Sequence, residues 1–506
     1  MYNWILQDKF RLPDQDQLHH LINHISKANN LKDFKFKKYL KEILTIVFYF
    51  ANDPWTTQEI ILSKLNITKK ELISLNKFIR ENKFLQDLIT TKGYGFKYWQ
   101  SISPFCKNIK NALNNKFSYP MRIAFYPGVS CMYYCGFCGR NQKEKYPLNS
   151  LENGLEIFKK TILELDPNNT AISISGGLEP LTNPRLGEIV EFASKHGLRV
   201  PLITNGHSLT EKNLHNHPGL KNLDSIRISL YGVDEESYEF ITTIKKSYKT
   251  VKKNCINFLK FRNNNNPNIK FGLNYIILKE NINNLEKLVD FISEVNNEVD
   301  NGPGVDFLSL RDDFDTVTGI SDESDQERKY HLSGLLNDED KEKLIKIFDL
   351  LETSRVTNNL HIDYGYALYS IKNGNIKNNL KKISDNEMRK FGHTQMSVCI
   401  DLLGDVFLYR EAGFLNRSGN KKFIIGRINN NNSLKSVIEN FLINTKGLGV
   451  EKNDIRFMDP FDHVLTSLIN QAENDINFGI PFEDGPILLR SNPKKINLGN
   501  SWYKNA

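Results

Sequence analysis

From Met121 onward, short apolar runs alternate with longer stretches in which apolar residues recur at helical spacing. This alternation predicts strands that are each followed by an amphipathic helix. The predicted strands are Arg122 to Tyr126, Ala171 to Ser175, Arg199 to Thr204, Ser225 to Tyr231, Ile269 to Leu278 and Val305 to Leu310. Six βα units in a row predict an α/β fold, either a partial (β/α)6 barrel or a doubly wound sheet. Both folds bind ligands at the C-terminal ends of their strands.

Three of the predicted helices carry clear signals. One places Leu151, Leu155, Phe158 and Ile162 on a single face. The next is predicted to begin with Asn183 as its N-cap and Pro184 in its first turn, and to end at Gly197. The third follows Asn284 and carries the apolar residues Leu285, Leu288, Val289 and Ile292.

The N-terminal segment, from Leu12 to about Lys92, has a helical pattern. Two capping boxes, Thr56-x-x-Glu59 and Thr68-x-x-Glu71, each predict the start of a helix. Two short helices joined by a turn are compatible with a DNA-reading module. A helical accessory domain is favoured, because the second helix is not unusually basic.

The C-terminal part has a mixed pattern. It predicts a charged loop from Arg311 to about Lys343, a hairpin from Ser397 to Arg410 that turns at Gly404-Asp405, a strand from Phe423 to Ile428 and a helix from Ser433. We expect four regions: an N-terminal helical domain (1–118), a catalytic partial barrel (119–320), an α+β extension that covers the substrate (321–480) and an irregular tail (481–506).

Composition narrows the class of protein. The 506 residues have the apolar and charged fractions of a globular protein. The longest apolar stretch, around Ile43 to Ala51, is too short for a membrane helix, and the first residues do not resemble a signal peptide. A net charge of +8 slightly favours an anionic small ligand and is weak evidence for nucleic acid. We expect a cytoplasmic enzyme without a nucleic-acid or membrane partner.

Three of the six cysteines, Cys131, Cys135 and Cys138, stand within eight residues just after the first predicted strand. Three thiolates at this spacing can hold one face of an iron–sulfur cubane, which ordinarily has four, and leave one iron open. A zinc site would need a second pair of ligands, which the sequence does not offer in suitable form. Cys255 and Cys399 are predicted to be core thiols.

The triad has the form C-x-x-x-C-x-φ-C, with Phe137 before the last cysteine, and resembles the signature of the radical S-adenosylmethionine (radical SAM) superfamily. Ser175-Gly176-Gly177-Leu178-Glu179-Pro180 resembles the motif that holds the cofactor's amino group, with Leu178 inserted relative to the commonest form. The resemblance implies a [4Fe–4S] cluster, S-adenosylmethionine and a set of cofactor-binding residues. They are Phe137, Ser175, Gly176, Gly177, Glu179, Asn205, Arg227 and Ser229.

Longer segments resemble the radical ammonia-lyases that act on dTDP-4-amino-4,6-dideoxyglucose. These segments include Ser175 to Pro184, His361 to Leu368 and Asp401 to Phe414. The resemblance implies a dTDP-sugar substrate that loses hydrogen from C3 and ammonia from C4. It also implies a flavodoxin- or ferredoxin-type electron donor. The region from Ser397 to Ile428 resembles an extension that binds an auxiliary cluster in some relatives, but with only Cys399 present we predict a single cluster.

Polar residues in these segments are candidates for the substrate site. Arg140, Arg311 and Arg410 are predicted to bind the diphosphate, because arginine suits bidentate phosphate recognition. Asp363, Tyr364, Tyr366 and Glu411 are predicted to orient the sugar or to take its hydroxyl proton. Two alternatives stay open at this point: a radical SAM dehydrogenase or epimerase of another substrate, and an iron–sulfur redox regulator that binds DNA.

Overall fold

The structure is a computed structural model. It describes residues 62–63, 65–81, 114–140, 144–167, 169–299, 302–312, 336–358, 360–364, 391–445, 448–449 and 452–459, and the single positions 39, 42–43, 46, 108, 111–112, 368 and 462. The capping box at Thr56, residues 313–335 of the predicted charged loop, Tyr366 and the tail lie outside these residues. The loop prediction was wrong at both of its ends, since residues 311–312 belong to a strand and residues 338–343 belong to a helix. Within them, no helix is both long and apolar enough to cross a membrane.

A ten-stranded sheet, in the order β11-β10-β9-β1-β2-β3-β4-β5-β6-β7, is the centre of the fold. The strands are β1 (Arg122–Tyr126), β2 (Ala171–Ile174), β3 (Pro201–Thr204), β4 (Ser225–Leu230), β5 (Lys270–Ile277), β6 (Phe307–Asp312), β7 (His361–Tyr364), β9 (Ser397–Asp401), β10 (Asp405–Phe407) and β11 (Ile424–Arg427). Strands β1 to β7 are parallel and follow chain order. The six predicted strands are confirmed, and the sheet stays open at β7 and β11, as in a partial barrel.

Helices cover one face of this sheet. They are α2 (Ser150–Glu164), α3 (Leu186–Lys195), α4 (Glu211–Asn216), α5 (Glu235–Thr242), α6 (Ser247–Asn265), α7 (Leu288–Asn297), α8 (Asp338–Thr353) and α9 (Leu434–Asn444). The predicted apolar face of α2 is confirmed, since Leu155, Phe158 and Ile162 are buried. Phe158 contacts Phe125 of β1, with ring centroids 5.2 Å apart.

One predicted helix start was wrong. Helix α3 begins at Leu186, after a separate 3-10 turn at Pro180–Thr182, and Asn183 lies between the two. The side chain of Asn183 donates to the carbonyl of Pro127 at 2.8 Å and accepts from the backbone N–H of Arg185. Asn183 therefore joins the helix to the loop after β1 instead of capping a helix that starts beside it.

The C-terminal strands complete the same sheet. Strand β9 pairs with β1 in parallel, and β10 folds back on β9 as the predicted hairpin. Gly404 in its turn has a φ of +85°, a conformation that glycine adopts without strain. A separate small ladder joins β8 (Phe391–Gly392) to β12 (Leu448–Gly449). The limits of the four predicted domains remain a prediction.

The N-terminal helix α1 (Lys69–Glu81) begins at the second predicted capping box. The hydroxyl of Thr68 accepts from the backbone N–H of Glu71 at 3.2 Å, and the Glu71 carboxylate accepts from the backbone N–H of Thr68 at 2.8 Å. This capping box is confirmed.

Candidate active site

The face of the sheet that the helices leave uncovered carries the polar residues of the strands. Side chains alternate between the two faces of a strand. In β5, Phe271 stacks on Phe258 of α6 with centroids 5.9 Å apart, so Gly272 and Asn274 point to the opposite, inner face. Gly272 leaves room there for the ring of Phe307, which would lie 2.0 Å from an added Cβ.

The cysteine loop follows β1. Cys135 is buried, and Cys131 and Cys138 are half-buried. The loop is braced by hydrogen bonds from the backbone N–H of Cys138 to the carbonyl of Cys135 (3.1 Å) and from that of Tyr134 to the carbonyl of Thr242 (3.0 Å). Burial, followed by the charges of Cys138 and Cys131, raises the pKa of Cys135. The three cysteines thus stand on one loop that follows β1.

Aromatic rings surround this loop. Phe137 lies 5.4 Å from the ring of Tyr231, and Tyr133 lies 6.0 Å from the same ring. The Tyr133 hydroxyl also contacts the Nδ1 atom of His207 at 3.1 Å. Phe137 and Tyr133, which both belong to the cysteine loop, thus pack against Tyr231 just after β4.

Arg140 belongs to the cysteine loop in this structure. It is 3% exposed, and its guanidinium donates to the carbonyl of Tyr133. Burial alone would lower the pKa of Arg140, but the charges of Cys131 and Cys138 outweigh it and raise the pKa. Arg140 therefore lies within the cysteine loop, and its contact with a diphosphate stays a prediction.

The glycine motif follows β2. An added Cβ at Gly176 would lie 1.7 Å from the carbonyl oxygen of Leu178, so only glycine fits this turn. Glu179, which is 4% exposed, accepts from the backbone N–H of Leu181 (3.0 Å), the hydroxyl of Thr204 (2.5 Å) and the backbone N–H of Asn205 (2.8 Å). Its carboxylate thus links the motif to the end of β3. Burial raises the pKa of Glu179, and the three hydrogen bonds oppose that rise.

Asn205 connects this network to the cysteines. Its amide nitrogen lies 3.8 Å from the sulfur of Cys131 and 3.2 Å from that of Met132. Glu179, Asn205 and Cys131 therefore form one continuous set of contacts across β2, β3 and the loop after β1.

A row of polar side chains runs across strands β4 to β7 on the inner face. The register pairs Ser229 with Asn274, Asn274 with Ser309, and Ser309 with Asp363. All four are buried, and the Asn274 Oδ1 and Ser309 Oγ atoms have no hydrogen-bond partner in the described part of the chain. Because buried polar groups are normally satisfied, these two atoms point to a bound ligand. The sequence prediction missed Asn274 and Ser309.

The predicted substrate residues have different positions. Arg311 forms an ion pair with Asp363 at the end of the inner row. Tyr364 faces the other way: its ring lies 4.8 Å from Phe348 of α8, and its hydroxyl donates to Glu352 at 3.1 Å. Tyr364 is therefore not brought to the site.

The side chain of Arg410 is bound by other side chains of the protein. Its guanidinium pairs with Asp459 at 3.2 Å and donates to the hydroxyl of Ser175 at 2.8 Å. Asp459 also pairs with the buried Arg122 of β1. Arg410 therefore ties the C-terminal part of the chain to the glycine motif. Glu411 pairs with Arg417 at 3.4 Å.

Comparisons with known proteins agree with this geometry. A profile of the radical SAM superfamily matches residues 125–292. The dTDP-4-amino-4,6-dideoxy-D-glucose ammonia-lyase of Streptomyces venezuelae is 34% identical over 441 residues, which cover 86% of this chain and 87% of that protein. The fold and the site thus define a radical SAM enzyme, and the predicted class is confirmed. Within that superfamily, the chain belongs to the same family as the Streptomyces venezuelae ammonia-lyase.

Among solved structures, Streptococcus suis SuiB bound to S-adenosylmethionine is 16% identical, with a TM-score of 0.42, and covers 78% of this chain and 80% of that one. The structure of anSMEcpe with bound AdoMet is 15% identical, with a TM-score of 0.42, and covers 64% and 82% of the two chains. Neither likeness is close enough to carry a conclusion. Membership of the superfamily implies a [4Fe–4S] cluster and S-adenosylmethionine as cofactors.

Proposed function

We propose that this enzyme is a dTDP-4-amino-4,6-dideoxyglucose ammonia-lyase with one [4Fe–4S] cluster held by Cys131, Cys135 and Cys138. The observation that carries the proposal is the 34% identity to the Streptomyces venezuelae enzyme over 86% of the chain. In the proposed reaction, the sugar loses a hydrogen atom from C3 and ammonia from C4. One further electron and a proton then give the 3-keto-4,6-dideoxy sugar.

The donor set fits such a cluster. Three thiols stand on one loop, whereas Cys255 and Cys399 are buried in separate parts of the core. Among the described residues, no three Cys, His, Asp or Glu side chains converge as they would on a single metal ion. A cubane spreads its ligands over several irons, so it does not need that convergence. When bound, the reduced cluster and S-adenosylmethionine supply a 5′-deoxyadenosyl radical.

The residues around the loop would orient the cofactor. The turn at Gly176 and Gly177 brings backbone close to the site, and the carboxylate of Glu179 fixes the ends of β2 and β3 relative to each other. Asn205 lies beside Cys131, between this turn and the thiols. Arg227 and Ser229 share the inner face of β4. Their positions support the proposed contacts with the cofactor's carboxylate and ribose.

The row of polar side chains on the inner face would extend from the cofactor site to the sugar site. It consists of Ser229, Asn274, Ser309 and Asp363. Asn274 and Ser309 offer an amide oxygen and a hydroxyl with no partner in the described residues, which suit the hydroxyl groups of a ribose or a hexose. Arg311 stands at the far end of the row, where Asp363 holds its guanidinium in place. Its side chain is 23% exposed, so part of the guanidinium remains accessible to a diphosphate.

The decisive test is anaerobic incubation of the reconstituted enzyme with S-adenosylmethionine, dithionite and dTDP-4-amino-4,6-dideoxyglucose. We expect release of ammonia and formation of the 3-keto-4,6-dideoxy sugar, measured by mass spectrometry. Release of 5′-deoxyadenosine without ammonia would overturn the assignment of substrate and reaction. An enzyme with zinc in place of iron, or one that never forms 5′-deoxyadenosine, would overturn the cluster assignment as well.

A further inference from the structure

A short segment of the C-terminal part, residues 410–417, packs against the glycine motif. An added Cβ at Gly177 would lie 3.0 Å from the ring of Phe414 and 3.2 Å from the carbonyl oxygen of Gly413, so the two segments are in close contact. The ring of Phe414 also stacks on that of Tyr126 of β1, with centroids 6.2 Å apart. We call residues 410–417 the bracing segment, because they lie against the ends of two neighbouring strands of the site.

The bracing segment also contacts the cysteine loop. An added Cβ at Gly139, the residue after Cys138, would lie 2.8 Å from the guanidinium of Arg417. Arg417 is 5% exposed, and its guanidinium lies 5.6 Å from the ring centroid of Phe414 and 5.2 Å from that of Phe457. One segment of the chain is therefore packed against both the glycine motif and the loop that carries the three cysteines.

Hydrogen bonds hold the backbone of the bracing segment in place. The side-chain amide of Asn420 donates to the carbonyls of Ala412 and Phe414, both at 3.0 Å. The hydroxyl of Tyr126, at the end of β1, donates to the carbonyl of Arg410 at 3.1 Å. Because its backbone is fixed in this way, the bracing segment offers the side chain of Arg410 from a defined position.

The guanidinium of Arg410 uses two of its nitrogens for two different partners. The Nη2 atom donates to the hydroxyl of Ser175, the first residue of the glycine motif, at 2.8 Å. The Nη1 atom donates to the carboxylate of Asp459 at 3.2 Å. A planar guanidinium can serve both directions at once, whereas a lysine has a single nitrogen on a flexible stem. The contact with Ser175 is therefore specific to arginine at this position.

Arg122 binds the same carboxylate from another direction. It is 2% exposed and pairs with Asp459 at 3.2 Å and with Asp462 at 3.0 Å. Arg122 is the first residue of β1, whereas Ser175 follows the end of the neighbouring strand β2. The two arginines thus share a buried ion-pair network, and the hydrogen bond to Ser175 is the contribution of Arg410.

We infer that Arg410 is a positioning residue for S-adenosylmethionine. By holding Ser175 against the bracing segment, it gives the glycine turn its binding shape before the cofactor enters. A site that is fixed in advance binds more tightly, because less freedom is lost when the ligand arrives. The inference rests on the proposed cofactor site and is independent of the sugar substrate. Arg410 acts through Ser175 in this role, without touching the cofactor.

Two matched substitutions and a double-mutant cycle test this inference. Arg410→Lys keeps the positive charge beside Asp459 and removes the second arm of the guanidinium. Arg122→Lys makes the same change on the other side of Asp459 and is the control. Ser175→Ala, alone and combined with Arg410→Lys, completes the cycle. The affinity for S-adenosylmethionine is measured by calorimetry after anaerobic reconstitution, and urea denaturation of each protein measures its stability separately.

We expect Arg410→Lys to bind the cofactor about tenfold more weakly, because a charge-assisted hydrogen bond to the glycine motif is lost. Arg122→Lys should bind it with unchanged affinity, whatever its loss of stability. The double variant should bind no more weakly than Ser175→Ala alone. Equal losses in the two lysine variants, or additive losses in the cycle, would overturn the inference. If the iron-loaded unaltered enzyme binds no S-adenosylmethionine, the proposed cofactor site fails as well.

Discussion

The carboxylate of Glu179, at the end of the glycine motif, accepts a hydrogen bond from the backbone N–H of Asn205 at 2.8 Å. This contact fixes the distance between the turn after β2 and the turn after β3. Both turns belong to the proposed cofactor site. The side-chain amide nitrogen of Asn205 also lies 3.8 Å from the sulfur of Cys131. The buried carboxylate of Glu179 therefore affects the proposed cofactor site by fixing the backbone of these two turns.

Replacement of Glu179 tests this role. In Glu179→Gln, an amide N–H would stand opposite one of the present donors, with an expected loss of about 1–3 kcal/mol of stability. We expect weaker binding of S-adenosylmethionine by about tenfold, measured by calorimetry on the reconstituted enzyme. Glu188→Gln, on the outer helix α3, is the control and should bind normally. Unchanged binding and thermal stability in Glu179→Gln would contradict the positioning role.

The cluster assignment predicts different fates for two buried cysteines. Cys135→Ala should abolish iron binding and the visible absorption of the iron–sulfur cluster, because two thiolates hold a cubane poorly. Cys255→Ala, in the core of α6, should keep both and should lose only about 1 kcal/mol of packing energy. Iron content and absorption spectra of anaerobic preparations provide the readout. A Cys135→Ala protein with a full cluster would exclude the proposed ligand set.

Replacement of Asn274, in the row of polar side chains on the inner face, is expected to weaken ligand binding without impairing folding. Asn274→Ala removes an amide oxygen that has no partner in the described residues, so stability should change little. The catalytic efficiency, kcat/KM, should fall by about ten- to a hundredfold if that oxygen binds a ligand hydroxyl. Thr161→Ala, whose hydroxyl donates to Ile157 within α2, is a control on the other side of the sheet. A stable Asn274→Ala enzyme with normal kinetics would remove Asn274 from the site.

Asp401 predicts how stability changes with pH. Its buried carboxylate accepts from Tyr146, Leu403 and Asp405, yet burial, followed by the charge of Asp405, raises its pKa to about 7. Because the unfolded pKa is about 4, the native state binds more protons between these values. The contribution of Asp401 to stability is therefore greatest at acidic pH and falls as the pH rises through about 7.

Asp401→Asn should remove this dependence and be more stable than the unaltered enzyme at about pH 8, by a few kcal/mol at most. Urea denaturation at about pH 5.5 and pH 8 measures the difference. Asp290→Asn, at an exposed position of α7, should follow the unaltered enzyme. An Asp401→Asn protein with the same pH dependence as its parent would refute the assignment.

The strands of the catalytic sheet could be predicted because each buries a continuous apolar run between turn residues. The cysteine triad and the glycine motif were also readable, since their chemistry depends on residues close together in sequence. Residues whose position in the site depends on the register between strands could not be predicted. Asn274 and Ser309 each stand alone in an apolar strand, and only the pairing of β4 to β7 brings them into one row with Ser229.

The direction of side chains and their long-range contacts explain the other differences between the predicted and the observed positions. Tyr364 was assigned to the site with Asp363, but neighbours in a strand point to opposite faces, so Tyr364 packs on α8. Arg410 was assigned to a diphosphate, and its ion pair with Asp459 depends on a contact between segments far apart in sequence. Asn183 was assigned as a helix cap because its partner Pro127, on another segment, could not be identified from local pattern.

The parallel pairing of β1 with β9 also affects how the chain folds during its synthesis. The side chain of Arg122 bonds to Ser397, 275 residues later, so one edge of β1 stays unpaired until most of the polypeptide has left the ribosome. An unpaired edge is a site for aggregation, and pairing over so long a separation is slow. Nascent or truncated chains that end before residue 397 should therefore depend on chaperones.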